Sequence, residues 1–178
     1  VRANVTAAVR LFQLVLEPSA LLELRVDLSG VELKSCTRCS MQLIKHGVLR
    51  WSDLEAIFVY VDGSWKEPDE AGSRHDAWAF WVVGSRAGCF TFLGYLAGPC
   101  DDKLGGLFSH ASRAEFQAMF WALVWIGQQR PGPRYEVGFD CMVVGEVAAG
   151  RVPWHSCPEG GRRLRSLALW VLRRHHCR

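Results

Sequence analysis

The feature that most constrains the fold is the order of four strand-forming segments around one long helical segment. Three runs of β-branched and aromatic residues come first, each closed by a turn: Ile57 to Val61, Ala77 to Val83 and Cys89 to Leu96. The links between them are short, which predicts an antiparallel meander. Arg113 to Gln129 then predicts a helix, and Tyr135 to Phe139 predicts a fourth strand.

This order indicates an α/β architecture. A helix between the third and fourth strands is a crossover connection, so the fourth strand can return beside the first and parallel to it. We therefore expect a mixed sheet, a three-strand antiparallel meander plus a parallel fourth strand, with helices packed on it. Two more helices are predicted, Met142 to Ala149 and Arg162 to Arg174. Apolar residues make up 49% of the 178 residues, which is ample for a core and argues against disorder.

The charge is unevenly distributed along the chain. Residues 151–178 carry seven arginines and one acid, a balance of +6, so the total of +3 leaves −3 for the first 150 residues. A basic segment on a slightly acidic body suits an anionic partner such as nucleic acid, although a solvated helix face is the commoner explanation. The longest apolar run, Ala118 to Ile126, is about half of what a membrane span needs, so no membrane association is expected. The seven scattered cysteines favour reduced thiols and an intracellular location, nuclear or cytoplasmic.

Three acidic residues occupy positions where a common site can form. Asp62 follows the first strand and Asp140 follows the fourth, and adjacent strands lie about 4.8 Å apart. Glu115 lies in the first turn of the crossover helix and begins the stripe 115, 118, 119, 122 and 126 that faces the sheet. Three converging carboxylates repel one another in a cleft of low dielectric. A hard divalent cation with oxygen ligands, Mg²⁺ or Mn²⁺, would relieve that repulsion.

Each acid also has a purely structural explanation. Asp62 can open an Asp-Gly turn, and Asp140 can cap the helix that follows it. Glu115 can pair with Ser112, three residues earlier, in a capping box, unless Ser109 caps the helix. All three acids in this order, at a strand end, a helix start and a strand end, favour a shared site over coincidence.

These segments resemble a known family. Residues 60–64 (Tyr-Val-Asp-Gly-Ser), 112–118 (Ser-Arg-Ala-Glu-Phe-Gln-Ala) and 139–140 (Phe-Asp) are similar to the first three active-site blocks of type 1 ribonuclease H. The likeness is greatest to ribonuclease H domains carried by retrotransposons, and it covers roughly residues 57–176. It implies a ribonuclease H-like fold and an origin in a retroelement or a gene derived from one.

The resemblance also implies an activity and a set of site residues. The activity is endonucleolytic hydrolysis of the RNA strand of an RNA–DNA hybrid with two Mg²⁺ or Mn²⁺ ions, without a small-molecule cofactor. The catalytic and metal-binding residues would be Asp62, Glu115 and Asp140. Contacts to the nucleic acid would come from Gly63, Ser64, Ser112 and Arg113, the last two towards the minor groove and its 2′-hydroxyls.

One departure from the family bears on activity. The family has a fifth strand and a final helix that bring a histidine-bearing loop and a fourth acidic ligand, and neither follows the last basic helix here. We therefore expect residues 57–178 to be a ribonuclease H-like domain that is incomplete at its C-terminus, with weak or lost activity. The alternative is a catalytically inactive nucleic-acid-binding module of the same fold. Residues 1–56 are interpreted as an extension or linker of unknown role.

Three weaker signals lie outside the acidic cluster. Cys36, Cys39 and His46 could form part of a zinc site, but structural zinc needs four ligands and no second pair is suitably spaced. Four tryptophans are predicted to be core residues: Trp78, Trp81, Trp121 and Trp125. His175 and His176 are predicted to be solvated at the end of the last helix.

Overall fold

Four strands and three α-helices follow one another in the part of the chain that the structure describes. It is a computed structural model, and it describes residues 51–67, 70, 76–101, 104, 110–129, 132–157 and 159–175. The strands are β1 (Ala56–Ser64), β2 (Ala77–Arg86), β3 (Cys89–Pro99) and β4 (Arg134–Gly138). The helices are α1 (His110–Gln128), α2 (Met142–Ala148) and α3 (Glu159–Arg174). The predicted extension up to residue 50, its candidate zinc ligands and His176 lie outside the described residues.

The sheet has the predicted topology. Its strand order is β3-β2-β1-β4, with β2 antiparallel to both β1 and β3, and β4 parallel to β1. The α/β fold with a mixed sheet, an antiparallel meander joined by a parallel fourth strand, is therefore confirmed. Within the described residues the sheet has these four strands, and β3 and β4 are its edges.

The strand β1 is longer than predicted at its C-terminal end. It continues to Ser64 because Asp62, Gly63 and Ser64 still pair with β2, the last pair being Ser64 with Ala77. The parallel ladder to β4 ends earlier, at Tyr60 beside Gly138. At this end of the sheet β1 therefore runs past its parallel neighbour.

The core lies between one face of the sheet and α1. The alternate residues Ile57, Val59 and Val61 of β1 are buried there, as strand alternation requires. The predicted sheet-facing stripe of α1 is buried too, apart from the partly buried acid that begins it: Ala118, Met119, Ala122 and Ile126. The apolar side of α3 packs against α1 and α2, with Leu164, Leu167, Ala168 and Val171 buried. None of the described helices is both long and apolar enough to cross a bilayer.

The opposite face of the sheet carries exposed aromatic side chains. Tyr60 and Trp81 are cross-strand partners whose rings stack at 6.0 Å, and each is 39% exposed. The prediction that Trp81 is a core residue is therefore wrong. Trp78 and Trp81 are three residues apart on one strand, so they point to opposite faces, and only Trp78 faces α1. Trp78 and Trp125 are buried as predicted, and Trp121 is half-buried.

His175 is also placed differently from the prediction. It directly follows α3, where its backbone N–H donates to the carbonyl of Val171, and only 3% of the residue is exposed. Its ring packs edge-on against the buried Tyr135 at 5.2 Å. The expected solvated histidine is thus part of the interior, because the end of α3 lies against β4 instead of fraying into solvent.

Candidate metal centre

Three carboxylates from three separate elements meet at one rim of the sheet. Asp62 of β1, Glu115 of α1 and Asp140 after β4 each offer an oxygen, and these oxygens all lie within 4.8 Å of one another. Asp62 and Asp140 are exposed, whereas Glu115 is partly buried. Among the described residues, these three side chains form the one group of potential metal ligands that lie close together.

Strand register places the two aspartates side by side. Tyr60 of β1 is level with Gly138 of β4, so Asp62 and Asp140 each stand two residues beyond the last parallel pair. Two residues along a strand return the side chain to the same face. The two aspartates therefore leave neighbouring chains at matching positions, in agreement with the separation of at most 4.8 Å between their oxygens.

A close approach of α1 to β1 brings Glu115 to the aspartates. A Cβ atom at Gly63 would lie 2.3 Å from the backbone nitrogen of Glu115 and 2.4 Å from the carbonyl carbon of Ala114. Only a residue without a side chain lets the first turns of the helix lie this close to the strand. The backbone N–H of Gly63 also donates a hydrogen bond to the Glu115 carboxylate. Gly63 is thus required for the position of Glu115.

The structural explanations considered for the three acids do not hold in this geometry. The strand continues past Asp62 to Ser64, so Asp62 does not open a turn. Because α1 begins at His110, Ser112 is inside the helix and Glu115 is its sixth residue, too deep for a capping box. The N-cap position of α2 belongs to Cys141 and not to Asp140.

Burial and like charges perturb the titration of Glu115. Its pKa is raised from 4.5 to about 7, chiefly because burial disfavours the charged carboxylate. The hydrogen bond from the Gly63 N–H opposes this change, and the negative charges of Asp140 and Asp62 add to it. A group whose ionisation is suppressed by two neighbouring acids would be ionised readily if a cation entered the cluster.

The residues present fit a divalent metal ion. The Oε2 atom of Glu115 is buried and has no hydrogen-bond partner among the described residues, so this carboxylate has an oxygen available to a ligand. Oxygens about 2.1 Å from an octahedral Mg²⁺ ion are about 3.0 Å apart when adjacent and about 4.2 Å apart when opposite. The three oxygens lie within 4.8 Å of one another, so rotation of the side chains can bring them to these separations.

The residues predicted to contact nucleic acid fall into different environments. Ser64 is exposed and points to the same face as Asp62, two residues along β1. Ser112 is half-buried in the first turn of α1, and Gly63 is packed against that helix. Arg113 is only 6% exposed, and its guanidinium donates to the buried carboxylate of Asp76. A surface contact by Arg113 does not fit this burial, because its charge is already directed into the protein.

Two polar groups next to the site were not predicted from the sequence. Asp76, immediately before β2, is the buried partner of Arg113. Gln117 of α1 is fully buried and binds the chain that follows β3. A signal for Gln117 was present, since it is a polar residue between Phe116 and the apolar run that begins at Ala118. Asp76 had no comparable signal, because an aspartate before a strand is common in loops.

Several solved structures resemble this fold. The structure of RNase H1 from the archaeon Halobacterium salinarum NRC-1 aligns with 68% of this chain and 80% of its own, at 15% identity and a TM-score of 0.46. A foamy viral protease–reverse transcriptase in complex with RNA/DNA hybrid aligns with 85% of this chain, which spans only 20% of that protein, at 15% identity and a TM-score of 0.48. An N-terminal RNase H domain from Mycobacterium tuberculosis aligns with 68% of this chain and 82% of its own, at 14% identity and a TM-score of 0.45.

No protein-family model and no curated protein matches the chain. At identities of 14–15% and TM-scores below 0.5, the structural likenesses carry no argument about activity. The interpretation of the site therefore depends on its own geometry.

Proposed function

We propose that the protein is a metal-dependent endonuclease that hydrolyses the RNA strand of RNA–DNA hybrids. The observation that carries the proposal is the meeting of Asp62, Glu115 and Asp140 with their oxygens within 4.8 Å of one another. They come from three segments that resemble the first three active-site blocks of type 1 ribonuclease H, in the same order along the chain. The turn, capping-box and N-cap explanations do not hold for Asp62, Glu115 and Asp140, which supports a common role for them in binding metal.

The different exposure of the three carboxylates indicates different roles for them in this activity. Glu115 is partly buried and held by the Gly63 N–H, so it provides a fixed carboxylate at the base of the site. Asp62 and Asp140 are exposed and leave the solvent side open to a phosphodiester. A divalent ion, when bound, would supply Lewis-acid activation of water and stabilisation of the developing negative charge. Ser64 offers an exposed hydroxyl beside the acids for the sugar–phosphate backbone.

The test is cleavage of a fluorescent RNA–DNA hybrid in Mg²⁺ by the unaltered protein and by Asp62→Asn. Loss of a partner that merely orients a metal ligand typically costs ~10–100-fold, so loss of a ligand itself should reduce cleavage by at least ~100-fold. Asp53→Asn is the control, because Asp53 lies before β1, at the opposite end of the sheet from the cluster. Its cleavage rate should equal that of the unaltered protein.

The outcomes separate this function from its alternatives. Hybrid binding without cleavage by the unaltered protein would contradict the nuclease proposal and support a nucleic-acid-binding module of the same fold. Cleavage of double-stranded DNA at a comparable rate would contradict the assigned substrate. Cleavage that survives in Asp62→Asn would show that the acidic cluster is not the active site.

A further inference from the structure

A buried ion pair connects α1 to the start of β2. The guanidinium of Arg113 donates to Asp76, and the two residues are 6% and 8% exposed. The carbonyl of Asp76 in turn accepts the N–H of Cys100 at 3.0 Å, just after β3 ends. Arg113 therefore holds the helix to the ends of two strands, at the end of the sheet where the acidic cluster lies.

A second connection starts one helical turn later. Gln117 has no exposed surface, and its amide makes three hydrogen bonds with the chain that follows β3. Its Oε1 atom accepts the N–H of Asp101 at 2.8 Å, and its Nε2 atom donates to the carbonyls of Asp101 at 2.6 Å and Leu104 at 2.9 Å. A buried amide with both ends engaged specifies one orientation of the helix relative to this segment.

Helix geometry places these two connections opposite Glu115. Residues 113 and 117 are four apart and share one side of α1, whereas residue 115 is two positions from each, about 200° around the axis. Glu115 faces β1, where the N–H of Gly63 donates to its carboxylate. The N-terminal half of α1 is thus held on one side by Gly63 and on the other by Arg113 and Gln117.

We propose that Arg113 and Gln117 are positioning residues that set the rotation and axial position of α1, and so the distance of Glu115 from Asp62 and Asp140. This inference rests on the proposed function, because it assigns the held carboxylate a role in metal binding. It replaces the contact with nucleic acid that the sequence resemblance implied for Arg113. A metal site needs its ligands within about 0.5 Å of the productive geometry, and a helix start held on one side only does not ensure that.

The test measures Mn²⁺ affinity without nucleic acid, in Gln117→Leu and Arg113→Lys. Gln117→Leu keeps most of the side-chain volume and removes the three hydrogen bonds, whereas Arg113→Lys keeps the charge and loses the guanidinium geometry. The matched controls are Gln129→Leu and Arg86→Gln. Gln129 donates to the carbonyl of Trp125 near the far end of α1, and Arg86 pairs with Asp53 at the far end of the sheet.

Mn²⁺ binding is followed by the loss of the free-ion EPR signal, at a temperature where circular dichroism shows each variant to be folded. We expect the Mn²⁺ Kd to rise ~10-fold or more in Gln117→Leu and Arg113→Lys. In the two controls it should stay within about twofold of the unaltered protein, even where their melting temperatures fall. If Gln117→Leu does not fold, Gln117→Met, which is close to glutamine in shape and also lacks the three hydrogen bonds, takes its place with the same expected result.

Folded variants of Arg113 and Gln117 that bind Mn²⁺ with the unaltered Kd would overturn the inference and leave the proposed function standing. An unaltered protein that binds Mn²⁺ and does not cleave the hybrid would contradict the proposed function alone, and the affinities would still decide the positioning role. An unaltered protein that binds no Mn²⁺ would overturn both.

Discussion

Replacing Glu115 by Gln should stabilise the metal-free protein at alkaline pH and abolish metal binding. The pKa of Glu115 is raised to about 7 by burial and by the charges of Asp140 and Asp62, against the hydrogen bond from Gly63. The folded protein therefore holds a proton on Glu115 that the unfolded chain releases above pH 4.5. Stability from this group is present below pH 4.5 and is lost as the pH rises through 7. Glutamine keeps an acceptor for the Gly63 N–H and carries no charge, so it removes that loss.

The size of the effect follows from the change in pKa. The pKa moves from 4.5 to about 7, and at ~1.4 kcal/mol for each pH unit this corresponds to at most ~3.5 kcal/mol. The exposed neighbours Asp62 and Asp140 are screened by solvent, which reduces the expected gain at pH 8.5 to about 1–2 kcal/mol. For a domain of this size that gain raises the melting temperature by about 3–8 °C. At pH 4.5 Glu115 is uncharged in the folded protein and only half ionised in the unfolded chain, so the difference should fall below about 0.5 kcal/mol.

The assay is thermal unfolding by circular dichroism in EDTA at pH 4.5 and 8.5, repeated at pH 8.5 with Mg²⁺. Mg²⁺ should raise the melting temperature of the unaltered protein, since it binds only the folded state, and should leave Glu115→Gln unchanged. Glu146→Gln is the control, because the hydrogen bond from Arg151 lowers the pKa of Glu146 and its loss should not stabilise the protein. A Glu115→Gln protein that melts at or below the unaltered protein at pH 8.5 would refute the reasoning that repulsion and burial destabilise this cluster.

Two further perturbations test the surroundings of the site. Gly63→Ala places a Cβ 2.3 Å from the backbone nitrogen of Glu115, so we expect urea unfolding to show a loss of ~3 kcal/mol in stability, together with weaker Mn²⁺ binding. Gly132→Ala is the control, because a Cβ there meets nothing within 4 Å and should change neither property. Equal stability of the two variants would contradict the close packing at Gly63. Burial and the charge of Arg174 lower the pKa of His175 below its ordinary value of 6.5. As the pH falls below 6.5, the imidazole of the unfolded chain is therefore protonated before that of the folded protein, and the folded protein loses stability. The test is made in a Glu115→Gln background, because protonation of Glu115 stabilises the protein over the same pH range. There, His175→Leu should reduce the fall in melting temperature between pH 7 and 5. An unchanged fall would contradict the lowered pKa of His175.

The agreement between sequence and structure is greatest where local pattern decides the outcome. Strand alternation and helical periodicity depend on neighbours in the chain, so β1 to β4 and α1 appear at the predicted places with ends shifted by up to three residues. The acidic cluster was predictable for the same reason. Asp62 and Asp140 follow runs that pair in parallel, and Glu115 begins the stripe of α1 that faces the sheet.

Apart from Trp81, which strand alternation turns to the exposed face, the disagreements concern contacts between segments that are distant in the chain. The burial of Arg113 depends on Asp76, 37 positions earlier, and that of Gln117 on the segment after β3. The close approach of α1 to β1 at Gly63, which its lack of a side chain allows, was likewise not predictable from the local sequence. His175 is buried because the end of α3 lies against Tyr135.

The sequence by itself thus determined the order and direction of the elements and the three acids at their ends, because hydrophobic periodicity and crossover geometry are local properties. Only the tertiary structure decided which polar groups face solvent and which hold the helix that carries Glu115. The reason is that burial and pairing depend on the residues packed around a side chain, and many of these are distant from it in the sequence.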